Sequence, residues 1–521
     1  MAAGSKALKT ALCFLSIVIA SNPVIQSQAR LSSKRTSAET LLADLTESAE
    51  VIRKHHAGGK TTDIADLTAS AIASMLESLD PHSTYFNAED FQILLEEQES
   101  EYYGIGATIA EYVFAGEINT YILLTYPGSA AAKAKLSFGD KILSVNGENM
   151  SGQSSEYVRD KVRGPDGTTV KLTVERSTTK RPESVELKRG RVPQPSIRDH
   201  YLLTSDVGYI DLSDGFNRTT LTELNKAYSS LRKSGMRSLI LDLRENPGGL
   251  LEQAVKVAEK FLPRGNVIVT QRGRSRADNI VWRSNNRSPE TIPLVILVGK
   301  NSASASEVVA GALQDHDRAL IVGEKTFGKG LVQSVFRLPE GAGLAITTSR
   351  YFTPSGRSIQ RDYENGGLYD YFAHRDLFQQ KSLTEARTST NRPVFGGDGI
   401  KPDEEIAAAE LSEVQSSMID DLFFFTKDFI NRPATMNAVI DLTSVMDAFK
   451  KYIQKTHGEI GGKLLETEQP FIETRLRYNL AIAARDPIGG NRLLNTVDPQ
   501  ISAARSALPR ARQLASTSNK K

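Results

Sequence analysis

Residues 294–335 read LVILVGKNSASASEVVAGALQDHDRALIVGEKTFGKGLVQSV. The apolar run 294–298, closed by Gly299, predicts a short buried strand. A loop of small polar residues follows, 301–306, and then Val308, Val309, Ala312 and Leu313 recur at helical spacing. Ser304 and Glu307 form an S-x-x-E capping box, which starts that helix at Ser304. A second strand over 319–322 leads into a Gly-rich loop carrying Lys325 and Lys329. Upstream the alternation repeats, with a strand over 207–212, an amphipathic helix over 219–233 and a strand over 238–243. Strands alternating with helices imply an α/β core with a largely parallel sheet.

A serine at a strand-to-helix turn has a chemical meaning. Its hydroxyl is a weak nucleophile that needs a base, and a lysine serves if burial holds the amine neutral. The helix N-terminus offers free N–H groups and a positive dipole end to a developing oxyanion, with the N–H of Ala305 as the natural donor. Two plainer readings stand beside this one: a serine that only caps its helix, and a lysine loop that is solvated or binds an anion.

The run SASASE, then ALQD, then GEKTFGKGLVQ resembles the C-terminal processing (tail-specific) serine peptidases. The resemblance implies Ser304 as nucleophile, Lys329 as general base and Gln333 as the residue that orients the lysine. Ser302 and Ser306 are the runners-up for nucleophile, and Lys325 is outside the motif. Residues 242–249, DLRENPGG, are similar to the family's D-L-R-x-N-P-G-G, which implies Gly248 or its neighbour Gly249 as a second oxyanion donor beside Ala305. Residues 353–360 also match. The fold implied is a core similar to crotonase and Clp protease. The resemblance spans about residues 80–403.

Residues 101–190 resemble a PDZ domain. Gly104, Ile105 and Gly106 match its carboxylate-binding loop, and PGSAA (127–131) and FGDKILSVNG (138–147) match its later signature. Such a domain adds an extended peptide to a sheet edge and holds the terminal carboxylate with loop N–H groups. The element D-P-H-S-T-Y at 80–85 is similar to one that precedes the PDZ domain in the family. His82 there is read as a turn or packing residue. Residues 361–395 depart from the family pattern and are read as a lid, an interface or a surface excursion.

Composition sets the remaining bounds. The chain has 521 residues, 40% hydrophobic and 24% charged, with a net charge of +2. These values fit a soluble multidomain protein and do not point to nucleic acid. Lys6 and Lys9, the apolar run 11–20 and Ser27-Gln28-Ala29 read as a signal peptide cleaved after Ala29, with an uncleaved anchor as the alternative. Periplasm or cell envelope is the expected location. Cys13 is the single cysteine, so the mature chain is expected to hold no disulfide and no thiol nucleophile. No metal or other cofactor is expected. The histidines are scattered, and His316 lies about 18 Å along the helix from Ser304, too far for a triad.

The domain plan is signal peptide 1–29, helical region 30–100, PDZ domain 101–190 after which 191–200 reads as a linker, peptidase core 191–403, and C-terminal helical region 404–521. In that last region Leu422–Phe425, Val445, Phe449, Ile453, Leu464 and Leu465 are apolar, which suggests homo-oligomerisation, and residues 510–521 read as frayed. Expected partners are proteins with exposed C-termini, a second copy of the chain and an activating adaptor protein. The competing functions are a PDZ scaffold on a latent peptidase fold, and a hydratase or acyl transferase on the related crotonase fold.

Overall fold

The computed structural model describes residues 37–58, 63–363, 371–372, 384–432 and 441–518. Residues 1–36, which include the expected signal peptide, and about half of the insert 361–395 therefore lie outside the described residues. The chain divides into two compact units between Thr68 and Ala69. In the first, helix Ala38–His55 starts at Ser37, whose side chain accepts from the Thr40 N–H. The helix buries no residue, and Leu41, Leu42 and Leu45 are exposed.

The second unit is built on a six-stranded sheet. Strands Val207–Asp211, Ser238–Asp242, Leu294–Val298, Leu320–Gly323 and Glu404–Glu405 run parallel, and Asp199–Leu202 adds antiparallel at one edge. Leu294–Val298 is buried at every position, because both faces of a parallel sheet are covered and its strands become continuous apolar runs. Helices Thr220–Lys233, Leu251–Glu259 and Ala305–Asp315 cover one face. Helix Pro499–Ser518 covers the other through Ile501, Ala504, Ala507 and Ala511. The end of the chain, expected to fray from Arg510, is thus helical to Ser518. Small side chains at spacings of three and four give this basic helix an alanine seam against the sheet.

A second, antiparallel sheet joins Thr84–Phe86, Gly343–Phe352, Val267–Gly273 and Ile280–Arg283, with Leu331–Arg337 also paired to Gly343–Phe352. The PDZ sheet runs Ala107–Phe114, Glu117–Thr125, Lys141–Val145, Thr169–Glu175, Pro182–Lys188 around a core that includes Ile122, Leu136 and Leu172. Its two ends are tied together: Glu101–Gly104 pairs antiparallel with Gly190–Pro193. Residues 191–193, expected as linker, are therefore a strand. The prolines sit at and beyond its end, where no ladder N–H is needed.

Helices Glu413–Ile430, Leu442–Thr467, Gln469–Ala483 and Pro487–Val497 complete the unit. The run Leu422–Phe425 is buried all round because its helix packs on two sides. Leu422 and Phe425 join Phe449 and Ile453, while Phe423 and Phe424 join Tyr121 and Phe138 of the PDZ sheet. Tyr112 stacks on Phe423 at 3.7 Å and 3°. The apolar surface that suggested homo-oligomerisation is covered by this chain itself; the Leu464 side chain lies outside the described residues.

Candidate active site

Strand Leu294–Val298 delivers the chain to the turn that carries Ser304, and helix Ala305–Asp315 departs from it. Ser304 has φ 53° and ψ −111°, a region that a residue with a Cβ occupies at a cost of about 1–3 kcal/mol. Such a sharp strand-to-helix turn thrusts a side chain off the end of a sheet. Ser304 is partly exposed, whereas Ser302 and Ser306 are fully buried. Ser302 Oγ donates to the Leu243 carbonyl at 2.6 Å and accepts from the Gly299 N–H at 2.9 Å. Ser306 Oγ donates to the Asn246 carbonyl at 2.9 Å. Both hydroxyls hold the turn in place, which leaves Ser304 as the one serine of the run open to a substrate.

Glu307 organises the turn. Its carboxylate is completely buried. Oε2 accepts from the N–H groups of Ser304 and Lys329, both at 2.8 Å. Oε1 accepts from the Gly328 N–H at 2.8 Å and from the Thr326 hydroxyl at 2.5 Å. One oxygen therefore joins the backbones of the two predicted catalytic residues, whose nitrogens stand no more than twice 2.8 Å apart. Burial pushes the Glu307 carboxyl upward, and the four donors pull it back. The capping box is visible in the sequence; that the same carboxylate reaches the lysine loop is a tertiary fact.

Burial pushes the Lys329 amine below its ordinary range, against the pull of Glu307 and Asp80. Among the described residues its Nζ makes no hydrogen bond or ion pair. Lys325, by contrast, is paired with Asp398. Gln333 lies on the next strand, but its Nε2 donates to Thr347 Oγ1 at 3.1 Å rather than to Lys329, and its Oε1 is the atom that can accept from an ammonium.

The D-L-R-x-N-P-G-G stretch supports the turn from the neighbouring strand. A Cβ on Gly248 would come within 2.8 Å of the Ser304 Cβ and 3.1 Å of the Ala305 nitrogen. Gly248 thus lies against the Ser304 turn with φ 106°, as only glycine can. Its N–H, expected as an oxyanion donor, instead donates to Asn246 Oδ1 at 2.9 Å. The Ala305 N–H, in the first helical turn, has no intrahelical acceptor. Asn246 is a residue the sequence reading passed over: its side chain also donates to the Leu212 carbonyl, and its own carbonyl accepts from Ala303 and Ser306. Asp242 and Arg244 are bound to each other, and Arg244 reaches Asp498 and Gln500 near the C-terminal helix.

His82 packs at the lysine loop. It faces Phe327, Tyr371 and Phe372 edge-on, and its Nε2 meets the Tyr371 hydroxyl at 3.0 Å. The Arg361 guanidinium sits 4.2 Å from the Phe327 ring centroid and 4.0 Å from that of Tyr371. Arg361, Tyr371 and Phe372 of the insert are therefore part of the wall beside Lys329. Burial first, then the Lys329 charge, push His82 down to about 3. The unfolded chain takes up this proton near pH 6.5, but the folded chain only near 3, so stability is lost as pH falls across that window. His82→Gln is expected to flatten the acid limb of the stability profile between these values, measured by denaturant midpoints at successive pH. An unchanged slope would remove His82 from the account.

Residues 206–367 match the model of peptidase family S41, and residues 121–176 match a PDZ domain model. A carboxy-terminal-processing protease of Bartonella bacilliformis is 37% identical over 307 residues, 57% of this chain and 68% of that protein. The chain belongs to the carboxy-terminal-processing proteases. A carboxyl-terminal-processing protease of Picosynechococcus sp. is 34% identical over 57% of this chain and 71% of its own. Among solved structures, a photosystem II D1 C-terminal processing protease is 26% identical, covers 71% of this chain and 94% of that one, and has a TM-score of 0.38. Family membership makes the chain a protease with a PDZ domain.

Proposed function

We propose that this chain is an exported serine endopeptidase that captures protein C-termini on its PDZ domain and cleaves with Ser304 and Lys329. The observation that carries the reading is the shared Glu307 oxygen, which binds the N–H groups of both residues. Neutral Lys329 takes the proton of the Ser304 hydroxyl as Oγ bonds to the scissile carbonyl carbon. The Ala305 N–H receives the oxyanion, and the lysine proton passes to the leaving amine. Water then releases the acyl group with the same lysine as base. Gln333 Oε1 orients Nζ once the lysine turns toward it. Gly104, Ile105 and Gly106 hold the tail carboxylate. Export follows from the N-terminal pattern of Lys6, Lys9 and the apolar run, with the periplasm or envelope as destination.

A second reading has one observation in its favour. Lys329 Nζ is unbonded among the described residues, so the arrangement suits a resting enzyme. An adaptor protein or a second copy of the chain would act by bringing Nζ onto Oγ.

The test is the pH profile of kcat/KM on an unfolded protein with an apolar tail. A lysine held down by burial loses its proton below the ordinary lysine pKa. The rate is therefore expected to rise with pH and level off below that value, with no loss on adding a chelator. A profile flat across that range, or a chelator-sensitive rate, would overturn the dyad.

A further inference from the structure

The PDZ groove is not walled by the PDZ domain alone. Strand Ala107–Phe114 is the edge of its sheet, pairing only with Glu117–Thr125. Beside it, against helix Ser155–Val162, lies a cavity of about 580 Å³. Tyr478 and Ile482 of helix Gln469–Ala483, with Pro487 and Ile488 of helix Pro487–Val497, line the same cavity. Ile488 is 48% exposed, an apolar side chain left facing this space.

Both ends of the open edge are defined. At one end the Ile105 carbonyl accepts from the Ala131 N–H, and the Gly106 carbonyl accepts from Tyr126 N–H and Ser129 Oγ. In a trans peptide the following N–H points opposite its carbonyl, so the Gly106 and Ala107 N–H groups face away from those partners. Arg163 lies beside Gly104, and Arg159 joins it in lining the cavity; these cations suit a carboxylate. At the other end the Val113 N–H donates to Asp420 of helix Glu413–Ile430 at 3.2 Å, and Tyr112 is stacked under Phe423. A strand added between these limits runs for about six residues.

We infer that the C-terminal helices complete the peptide site, with Ile488 and Tyr478 contacting apolar side chains in the last few residues of a substrate tail that ends in a free carboxylate. This rests on the tail-capturing reading above. It assigns a specificity role to a helical region that lies outside both the peptidase and PDZ matches.

The experiment uses the full chain carrying Ser304→Ala, so that bound peptide stays intact. A fluorescent ten-residue peptide with an apolar end is titrated by anisotropy, once with a free carboxylate and once as the C-terminal amide. The expected result is tighter binding of the free carboxylate, a rise in Kd of at least about fivefold with Ile488→Asp, and near-parent binding with Ile488→Leu. Equal Kd for parent and Ile488→Asp, with the carboxylate preference intact, overturns the composite wall and leaves tail capture standing. Equal binding of acid and amide by the parent overturns both. Thermal unfolding of the Ile488 variants shows that the fold persists, as the exposure of this side chain leads one to expect.

Discussion

Ser304→Ala is expected to lower hydrolysis of an unfolded protein substrate by at least about 10³–10⁴-fold, and Lys329→Ala by a similar factor. The double variant is expected to be no worse than either single one, because a nucleophile and its base, the roles proposed for Ser304 and Lys329, act as a unit and their losses do not add. The structure also says what these variants should leave alone. Ser304 is partly exposed, and Lys329 Nζ has no hydrogen-bond partner among the described residues, so the lysine truncation removes no bond that holds the fold and the serine truncation only its side of the capping box. Thermal midpoints should stay near the parent value. Ser302 and Ser306 make the contrasting case: their hydroxyls are spent on the backbone of residues 243, 246 and 299. Alanine there is expected to lower stability as well as rate. Activity retained by Ser304→Ala but lost without destabilisation in Ser302→Ala or Ser306→Ala would move the nucleophile.

The second large effect belongs to Glu307. Alanine in its place strands three backbone N–H groups and the Thr326 hydroxyl in a buried site. Each unpaired buried donor costs about 1–3 kcal/mol, so a loss of about 4 kcal/mol or more is expected, read from the denaturant midpoint of the peptidase core. Hydrolysis should fall at least about a hundredfold even where the protein remains folded, since the Ser304 turn and the Lys329 loop lose their shared anchor. Glu307→Gln separates the two losses. It keeps the volume but offers an amide NH2 to donors that already point inward, so one pair of contacts becomes repulsive. Its activity should lie nearer to alanine than to glutamate. A glutamine variant with parent-like stability and rate would show that the carboxylate does not join the two segments.

Much of this protein was legible from residue order. The buried run at 294–298, the helical spacing after Ser304 and the S-x-x-E box are local patterns, and local backbone preferences acting over a few residues produce them directly. The serine's place at a strand-to-helix turn and the α/β class follow from the same short-range rules, whereas the PDZ domain was legible only through the resemblance of its motifs to a known family. The positive φ of Ser304 and the close approach of Gly248 could be anticipated only as far as small residues marked a crowded turn.

What the tertiary structure decided is where polar groups separated in sequence find one another. Glu307 reads as an ordinary helix cap, yet burial obliges its second oxygen and remaining lone pairs to find donors, and these come from residues 326, 328 and 329. Asn246 claims the Gly248 N–H for the same reason. His82 gains its partner from Tyr371, in a stretch with no family pattern to announce it. The prolines after Val192 suggested a linker, but pairing across the domain's ends made a strand. The basic end of the chain suggested fraying, but an alanine seam found the open face of the sheet. For the strand 294–298, the helix after Ser304 and its capping box, the sequence by itself determined the element, through local propensity and hydrophobic period. Only the fold decided the partner, because a buried donor, acceptor or apolar face must be satisfied by whatever the packed chain brings to it.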